Sequence, residues 1–411
     1  MKLHDLYRDL LIFWVTCFPI AAYATATERF TNLSQLLDHA ESISPEVRRA
    51  RAGLEVTNQG VVGAKMIPNP ELGFGNFSGR AGNKRWGQTD ITLLQPIELG
   101  GKRGSRINLA QARIQEVRSL LDQAIAEVRL SALSTVYRIR QIKDELELIE
   151  EAMTTFSRLV GNYKKRPQLS PEQSTSLFLF QLAYRDCELQ KEDLLSEFNL
   201  AESRIKQLTG RSIDEVSNVL PLRKETWPAS QGPGQIESPY LKVLRAQSAA
   251  AEQELKLANS DAWPTVNIGP SFTTQDQFGE KANVWGIVLS FPIPVLNQNN
   301  GAKAVALANI SSSRKQLEIA RSVQETKLEA FQKSYARSVT LLMKQSTAQE
   351  LHKKHSEVEA FFLRGLISSP IVIEAHRQMF ENQKLYHLRE IATLDIYYQM
   401  VLINGGKIEE I

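Results

Sequence analysis

Between Gly104 and Gly161 the chain has neither glycine nor proline, and across that stretch Ile107, Ile114, Leu121, Val128, Thr135, Ile142, Ile149 and Phe156 recur every seven residues. Ile139, Leu146, Met153 and Val160 form a second row with the same spacing. A strict seven-residue repeat keeps one apolar seam in line along a helix that winds around its neighbours. The stretch therefore predicts one helix over 104–163, about 90 Å long at ~1.5 Å per residue. An equally uninterrupted run covers 302–364. Helices of this length cannot fold into one ordinary globular core, so they must pack side by side over most of their length.

What surrounds the long helices is duplicated. Ser44-Pro45 and Ser238-Pro239 each open a shorter polar helical stretch, the first ending before Pro68 and the second before Pro264. Pro68 and Pro264 lie 196 positions apart, as do Pro96 and Pro292, and Leu169-Ser170 matches Ile367-Ser368 at 198. The chain divides into a first repeat at 25–220, a linker at 221–238 rich in Pro and Gly, and a second repeat at 239–411. Each repeat reads as a short helix, a β-hairpin (71–95 and 265–291), a long helix, a sharp turn and a returning helix (172–209 and 371–404).

The second hairpin alternates cleanly. Trp285, Ile287, Leu289 and Phe291 fall on one face, whereas Val284, Gly286, Val288 and Ser290 fall on the other. An isolated two-stranded hairpin is marginal in water, and open strand edges do not occur in lipid. Four strands are too few to close a membrane barrel, whose smallest versions have about 8; three copies of the chain supply 12, inside the known range. Strand count thus favours an obligate homotrimer with a shared barrel, the Trp285–Phe291 face toward lipid and the other face toward a lumen. A coiled-coil scaffold would account for the helices, but not for the hairpins.

The N-terminus points the same way. Lys2 and Arg8 precede an apolar run from Leu10 to Ala22, and Ala22-Tyr23-Ala24 is a small-x-small site. This is the pattern of a secretory signal peptide over 1–24; a buried first helix is the alternative. Thr16 before Cys17 fits a lipid-attachment site poorly, so lipidation is not expected. After cleavage only Cys187 remains and no internal disulfide is possible. No later stretch reaches the ~18 apolar residues of a transmembrane helix. The formal net charge of +3 gives no support for a nucleic-acid partner.

The residues Gln95-Pro-Ile-Glu-Leu-Gly-Gly-Lys-Arg-Gly-Ser-Arg106 invite a phosphate-loop reading. The G-x-x-x-x-G-K-[ST] pattern fails twice, since Pro96 stands in the first glycine's place and Arg103 follows Lys102. They read better as a joint. Pro96 ends ladder donation, and Gly100 and Gly101 permit the turn from strand to helix. Cations oppose the dipole at a helix N-terminus, so Lys102, Arg103 and Arg106 need partners: anionic lipid headgroups, a neighbouring subunit's carboxylates, or solvent alone.

Here the residues carry a resemblance. Leu93 to Arg106 resembles the strand-to-helix joint of TolC-type outer-membrane efflux proteins, closest to their heavy-metal (CzcC-like, cobalt–zinc–cadmium) branch. Leu289 to Ala308, with Pro292 and Gly301, resembles that family's second joint, and Arg364 to Ala375 its helix-tip turn. The likeness runs through the whole mature chain in both repeats. It departs at the first tip, where Pro167-Gln168 stands in place of a usual glycine.

The resemblance implies a mainly α chain with a small β part. A long coiled-coil α-barrel is joined to four β-strands per chain that contribute to a trimeric 12-stranded outer-membrane β-barrel. It also implies a duct in the outer membrane of a Gram-negative bacterium with a long periplasmic portion, no chemistry and no cofactor of its own. The implied partners are a periplasmic adaptor (membrane fusion) protein and an inner-membrane, proton-driven RND pump. The helix turns carrying Arg166, Leu169 and Ser170, and Arg364, Gly365, Leu366 and Ser368, would face the adaptor and constrict the tunnel. Heavy-metal cations are the expected cargo; multidrug or solvent efflux and type I secretion are the alternatives within the fold, and a secreted structural coiled-coil protein the alternative outside it.

Other chemical signals are weak. His352 and His355 are one helical turn apart, a spacing that suits a metal, but Lys353 and Lys354 lie between them and no cysteine accompanies them. The pair reads as a solvated helix face. Glu357 and Glu359 are two apart and point to different sides of a helix. No metal site, nucleophile motif or redox cysteine pair is expected.

Overall fold

The computed structural model describes residues 30–409 apart from 231–233, 235, 278 and 345–347, and excludes the side chains of 81, 277, 348–352 and 355. The expected signal peptide, Cys17, part of the linker, and the side chains of His352 and His355 therefore lie outside the described residues.

The chain runs α1 (Leu33–Ile43), α2 (Pro45–Lys65), β1 (Glu71–Ala81), β2 (Lys84–Glu98), α3 (Lys102–Lys164), α4 (Pro171–Thr209) and α5 (Ile213–Val216). There follow α6 (Pro239–Asp261), β3 (Thr265–Gln277), β4 (Glu280–Ser290), α7 (Asn300–Leu342), α8 (Ala348–Leu363) and α9 (Ser369–Ile403). The repeat is visible in its capping. Ser44 and Ser238 each accept a hydrogen bond from the backbone N–H three residues on, at Val47 and Leu241, with proline opening the helix behind them.

α3 is the 63-residue spine. Its seven-residue rows divide by position. Val128, Ile139, Ile142, Ile149 and Phe156 are buried, whereas Ile107, Ile114 and Leu121, nearer the sheet, are half-buried. Packing against α2 and α6 near the sheet gives way to packing against α4 and α9 farther along. The main core gathers Val136 and Tyr137 of α3, Ile205 and Leu208 of α4, Leu394 and Tyr398 of α9, and Leu33, Leu36 and Leu37 of α1. Helix α1 was not foreseen, although Leu33, Leu36, Leu37 and Ala40 have the spacing of one helical face.

The two hairpins join. Strand order is β1-β2-β3-β4, every pair antiparallel, so β2 pairs β3 across the repeat boundary. The break expected at Pro96 does not occur: β2 runs on to Glu98, with Pro96 opposite Asn267. The reason is local. β1 begins at Glu71 opposite Leu94, so beyond Leu94 the β1 flank of β2 is unpaired and a missing N–H costs no ladder bond there.

Two further differences concern helices and linker. The uninterrupted run over 302–364 is two helices, α7 and α8, and α7 closes in a turn at Met343 and Lys344. The linker is not a free tether. Trp227 packs against two core clusters, the Tyr335 hydroxyl donates to the Pro228 carbonyl at 2.7 Å, and the Arg223 guanidinium lies 3.9 Å from the Tyr386 ring centroid.

Candidate functional site

Three places carry the features of interest: the joint between sheet and long helix, the sheet itself, and the turns at the far end of the helices.

At the joint Gly100 and Gly101 take φ of 71° and 72°, the left-handed region that glycine enters without strain. Space adds a second reason at Gly100, where a Cβ would stand 2.3 Å from Trp263 Cγ. The three cations find partners within the chain. Arg103 Nε donates to the Lys65 carbonyl at 2.8 Å, and Lys102 Nζ donates to Thr265 Oγ1 at 3.1 Å. Arg106 makes a two-pronged ion pair with Glu98 and reaches the Met66 carbonyl at 3.3 Å. Lys65 and Met66 end α2, whose C-terminus carries the negative end of its dipole. Arg103 and Arg106, which oppose one helix's dipole, are thus held by another's, and Glu98 supplies a full charge. The partners lie within the chain, and were not among the lipid headgroups, neighbouring carboxylates or solvent that the sequence offered.

The second joint solves the same problem with another residue. Asn299, not Gly301, is the left-handed residue, with φ of 60°, and its side-chain N–H donates to the Ala258 carbonyl near the end of α6 at 2.9 Å. Asn299 stands at the N-cap of α7 as Gly101 does at that of α3. Gly301 lies inside α7 with open space where a Cβ would be, and Pro292 lies two residues past the end of β4.

The sheet segregates its side chains. Residues opposite one another share a face, and the pairing puts Phe74, Ile91, Phe272 and Trp285 in one row. Leu93, Ile287 and Leu72 follow in the next, then Ile268 and Leu289, and Ile97 closes the band. Trp285 is 75% and Ile287 80% exposed. The apolar band spans about 20 Å along the strand at ~3.4 Å per residue. The opposite face carries Gly73, Gly75, Gly79, Ser271, Gly286 and a polar chain: the Gln88 amide donates to both Asp90 oxygens at 2.9 Å, and Thr273 Oγ1 donates to Asp90 Oδ1 at 2.8 Å.

The two helix turns meet. Tyr163, Arg166 and Ser170 from the first turn and Gly365, Ser368 and Pro370 from the second line one groove. Beneath it Phe156, Phe180 and Val372 form a buried cluster against which Phe362 packs. Gly365, with φ of 73°, closes α8 in a Schellman turn: its N–H donates to the Phe362 carbonyl and that of Leu366 to the Phe361 carbonyl, each at 2.9 Å. The first turn has no left-handed residue, and α3 ends instead in a tighter bond from Arg166 N–H to the Tyr163 carbonyl at 3.1 Å. Ser170 opens α4 with a reciprocal capping box to Gln173. Arg166, Arg364, Leu366 (66%) and Ser368 are exposed, and Leu169 is half-buried.

This architecture and sequence have counterparts. Residues 36–167 match the family model described as outer membrane efflux protein. The cobalt-zinc-cadmium resistance protein CzcC of Cupriavidus metallidurans is 22% identical over 389 residues, covering 90% of this chain and 88% of its own. The nickel-cobalt-cadmium resistance protein NccC of Alcaligenes xylosoxydans xylosoxydans is 21% identical over 298 residues, covering 70% of this chain and 66% of its own. A membrane protein from Pseudomonas aeruginosa has a similar fold, with a TM-score of 0.70, 12% identity and coverage of 92% of this chain and 91% of that one. Residues 36–167 are thus similar to the outer membrane efflux protein family, and nine-tenths of the chain shares the fold of a solved membrane protein.

In this chain the ionisable groups away from the joints are structural in their geometry. Glu145 is fully buried; burial alone would raise its carboxyl, but hydrogen bonds from His387 and Arg138 reverse the effect and hold it below the usual range. Burial, aided by Asp186, pushes the Cys187 thiol up to about 11, far from thiolate reactivity. Among the described residues no group of three or more His, Cys, Asp and Glu is placed to hold a metal ion.

Sequence alone did not reveal Glu98, Trp263 or Asn299. Glu98 carried a faint signal, an acid among three cations eight positions before Arg106. Asn299 could have been found by carrying Gly101 across the repeat at the tip spacing of 198; Trp263 had none.

Proposed function

We propose that the chain is the outer-membrane duct of a tripartite exporter, working as a homotrimer with a periplasmic adaptor and an inner-membrane RND pump, and passing heavy-metal cations. The observation that carries the duct reading is the apolar face shared by all four strands. Such a band suits lipid, yet β1 and β4 each leave an edge, and an edge cannot stand in hydrocarbon. Three sheets joined edge to edge, β4 of one copy to β1 of the next, give 12 strands and no edge. Trp285, Ile287, Leu289 and Phe291 then meet lipid, and the Gly-, Ser- and Gln-lined face meets water.

The role follows from the build. The barrel crosses the membrane, and α3, α4 and α7–α9 continue it as a helical tunnel. The turns with Arg166, Leu169 and Ser170 and with Arg364, Gly365, Leu366 and Ser368 form the far end, where the adaptor docks and the tunnel narrows. The duct makes and breaks no covalent bond. Kinship with CzcC and NccC, both resistance proteins for divalent metals, supports cations as cargo, and the absence of basic side chains from Trp86 to Glu98 on the water-facing side of β2 agrees with it.

The test is cell-associated metal in a deletion strain loaded separately with zinc, cobalt, cadmium, copper and nickel, with ethidium retention followed in parallel. Accumulation of one or a few metals without ethidium is the expected result. Accumulation of ethidium without metals would keep the duct and overturn the cargo.

A further inference from the structure

The β1–β2 hairpin places two arginines side by side. Gly82, with φ of 64°, and Asn83 make a two-residue turn, and two positions below it Arg80 pairs directly with Arg85. Both are exposed, and by the alternation of the strands both lie on the face that carries Phe74, Ile91 and Trp285. Directly opposed like charges destabilise a ladder. Among the described residues neither guanidinium makes an ion pair or a hydrogen bond. The neighbouring hairpin differs, for there Lys281 pairs with Asp276 on the same face and its charge is opposed by a carboxylate.

We propose that Arg80 and Arg85 together clamp a phosphate group of an anionic lipid in the outer leaflet. The inference rests on the barrel reading above, which puts this hairpin at the end of the strands away from α3, beyond the outer rim of the apolar band. The aromatic row of Phe74, Phe272 and Trp285 marks that rim, as aromatic girdles mark membrane interfaces. Arg85 stands six residues before Ile91 on β2, about 20 Å along the strand toward the turn and less in height once the strands tilt. Arginine stems lie down toward the interface while their heads stay among polar groups. Cβ atoms of directly opposed residues are only ~5 Å apart, so two planar forks can close on one tetrahedral anion, each giving two parallel N–H donors. The tight turn holds the pair before any ligand arrives.

The experiment uses the full-length trimer. Wild type and the double variant Arg80→Gln/Arg85→Gln are reconstituted in vesicles of zwitterionic phospholipid alone, the same with bisphosphorylated lipid A, and the same with dephosphorylated lipid A. Inorganic phosphate is added to the first set as a separate arm. Insertion is read by heat-modifiable trimer bands, and the heat resistance of the trimer is then compared. Wild type is expected to gain heat resistance with bisphosphorylated lipid A only, and the variant to bind that lipid about tenfold more weakly. Without the anionic lipid the variant should match or exceed wild type, because a like-charge pair has been removed. A gain with inorganic phosphate equal to that with lipid A would show a free-anion site and overturn the lipid. Equal gains for both proteins, or for both forms of lipid A, would overturn the clamp. Failure of wild type to insert as a trimer would overturn the barrel reading, and this inference with it.

Discussion

His387 Nδ1 and Glu145 Oε1 meet at 2.6 Å with both side chains fully buried, 242 positions apart in the chain. The contact ties α9, the returning helix of the second repeat, to α3, the long helix of the first. Gln383 Nε2 sits 2.7 Å from His387 Nε2, which leaves Nδ1–H to donate to the carboxylate. Arg138 reaches Glu145 at 2.9 Å from the same helix and Glu197 of α4 at 2.6 Å, while Arg140 and Gln141 engage the buried Glu390. Removing one member of a buried pair leaves the other uncompensated, at a cost of about 3–5 kcal/mol. Glu145→Ala should lower stability by that order, and Glu145→Gln by less, read by urea midpoint of the purified protein.

The same carboxylate sets an acid limit. Its pKa is depressed in the folded chain, so its contribution is complete above the unfolded value near ~4.3 and is lost as pH falls through the folded one. Wild type should therefore lose stability more steeply below about pH 4 than Glu145→Gln does. Parallel acid limbs for the two proteins would show that Glu145 does not drive the loss.

At the joint, Gly100→Ala and Gly101→Ala separate backbone strain from space. Both alanines would enter the left-handed region at about 1–2 kcal/mol. Only at Gly100 does the new methyl meet Trp263, adding about 1–3 kcal/mol of overpacking. Thermal unfolding should rank Gly100→Ala below Gly101→Ala, and Trp263→Ala should narrow the gap. Equal midpoints would remove Trp263 from the explanation of Gly100.

Much of this was legible because it is periodic. Seven-residue rows announce α3, two-residue alternation announces β4, and a spacing of 196 announces the repeat. What stayed hidden is aperiodic. Arg103 and Arg106 are held by the carbonyls of Lys65 and Met66, and a backbone carbonyl leaves no mark in a sequence. The role of Asn299 was hidden by chemistry: a glycine was sought where an asparagine, the other residue that tolerates a left-handed backbone, adds a hydrogen bond of its own. The linker looked free because Pro228 and Gly232 suggested it, while the anchors that pin it, Trp227 on Tyr335 and Arg223 on Tyr386, are long-range contacts.

The two faces of β4 can be told apart by a single charge. Ile287→Lys places an ammonium on the apolar band, where a lysine at mid-membrane costs about 2–4 kcal/mol. Val288→Lys, one residue on, points to the polar face. The first should reduce trimer in the outer-membrane fraction and the second should leave it near wild type, measured by immunoblot of unheated samples. The reverse ranking would invert the assignment of faces.

At the far end Gly365 carries both a left-handed φ and an N–H that donates to Phe362. Proline can supply neither, since its ring fixes φ near −65° and removes the donor. Gly365→Pro should therefore open the Schellman turn at about 3 kcal/mol. Leu366 would lose its bond to Phe361, and the groove shared with Arg166 and Ser170 would widen. The helices behind it are held by Phe156, Phe180 and Val372, so trimer should still assemble. Arg364→Glu leaves the turn intact and reverses only a surface charge beside it. If these turns are where a partner docks, both variants should raise cell-associated metal while trimer level stays normal. Normal export by Gly365→Pro would mean that the turn's geometry is not what the partner reads; normal export by both would move docking away from this end.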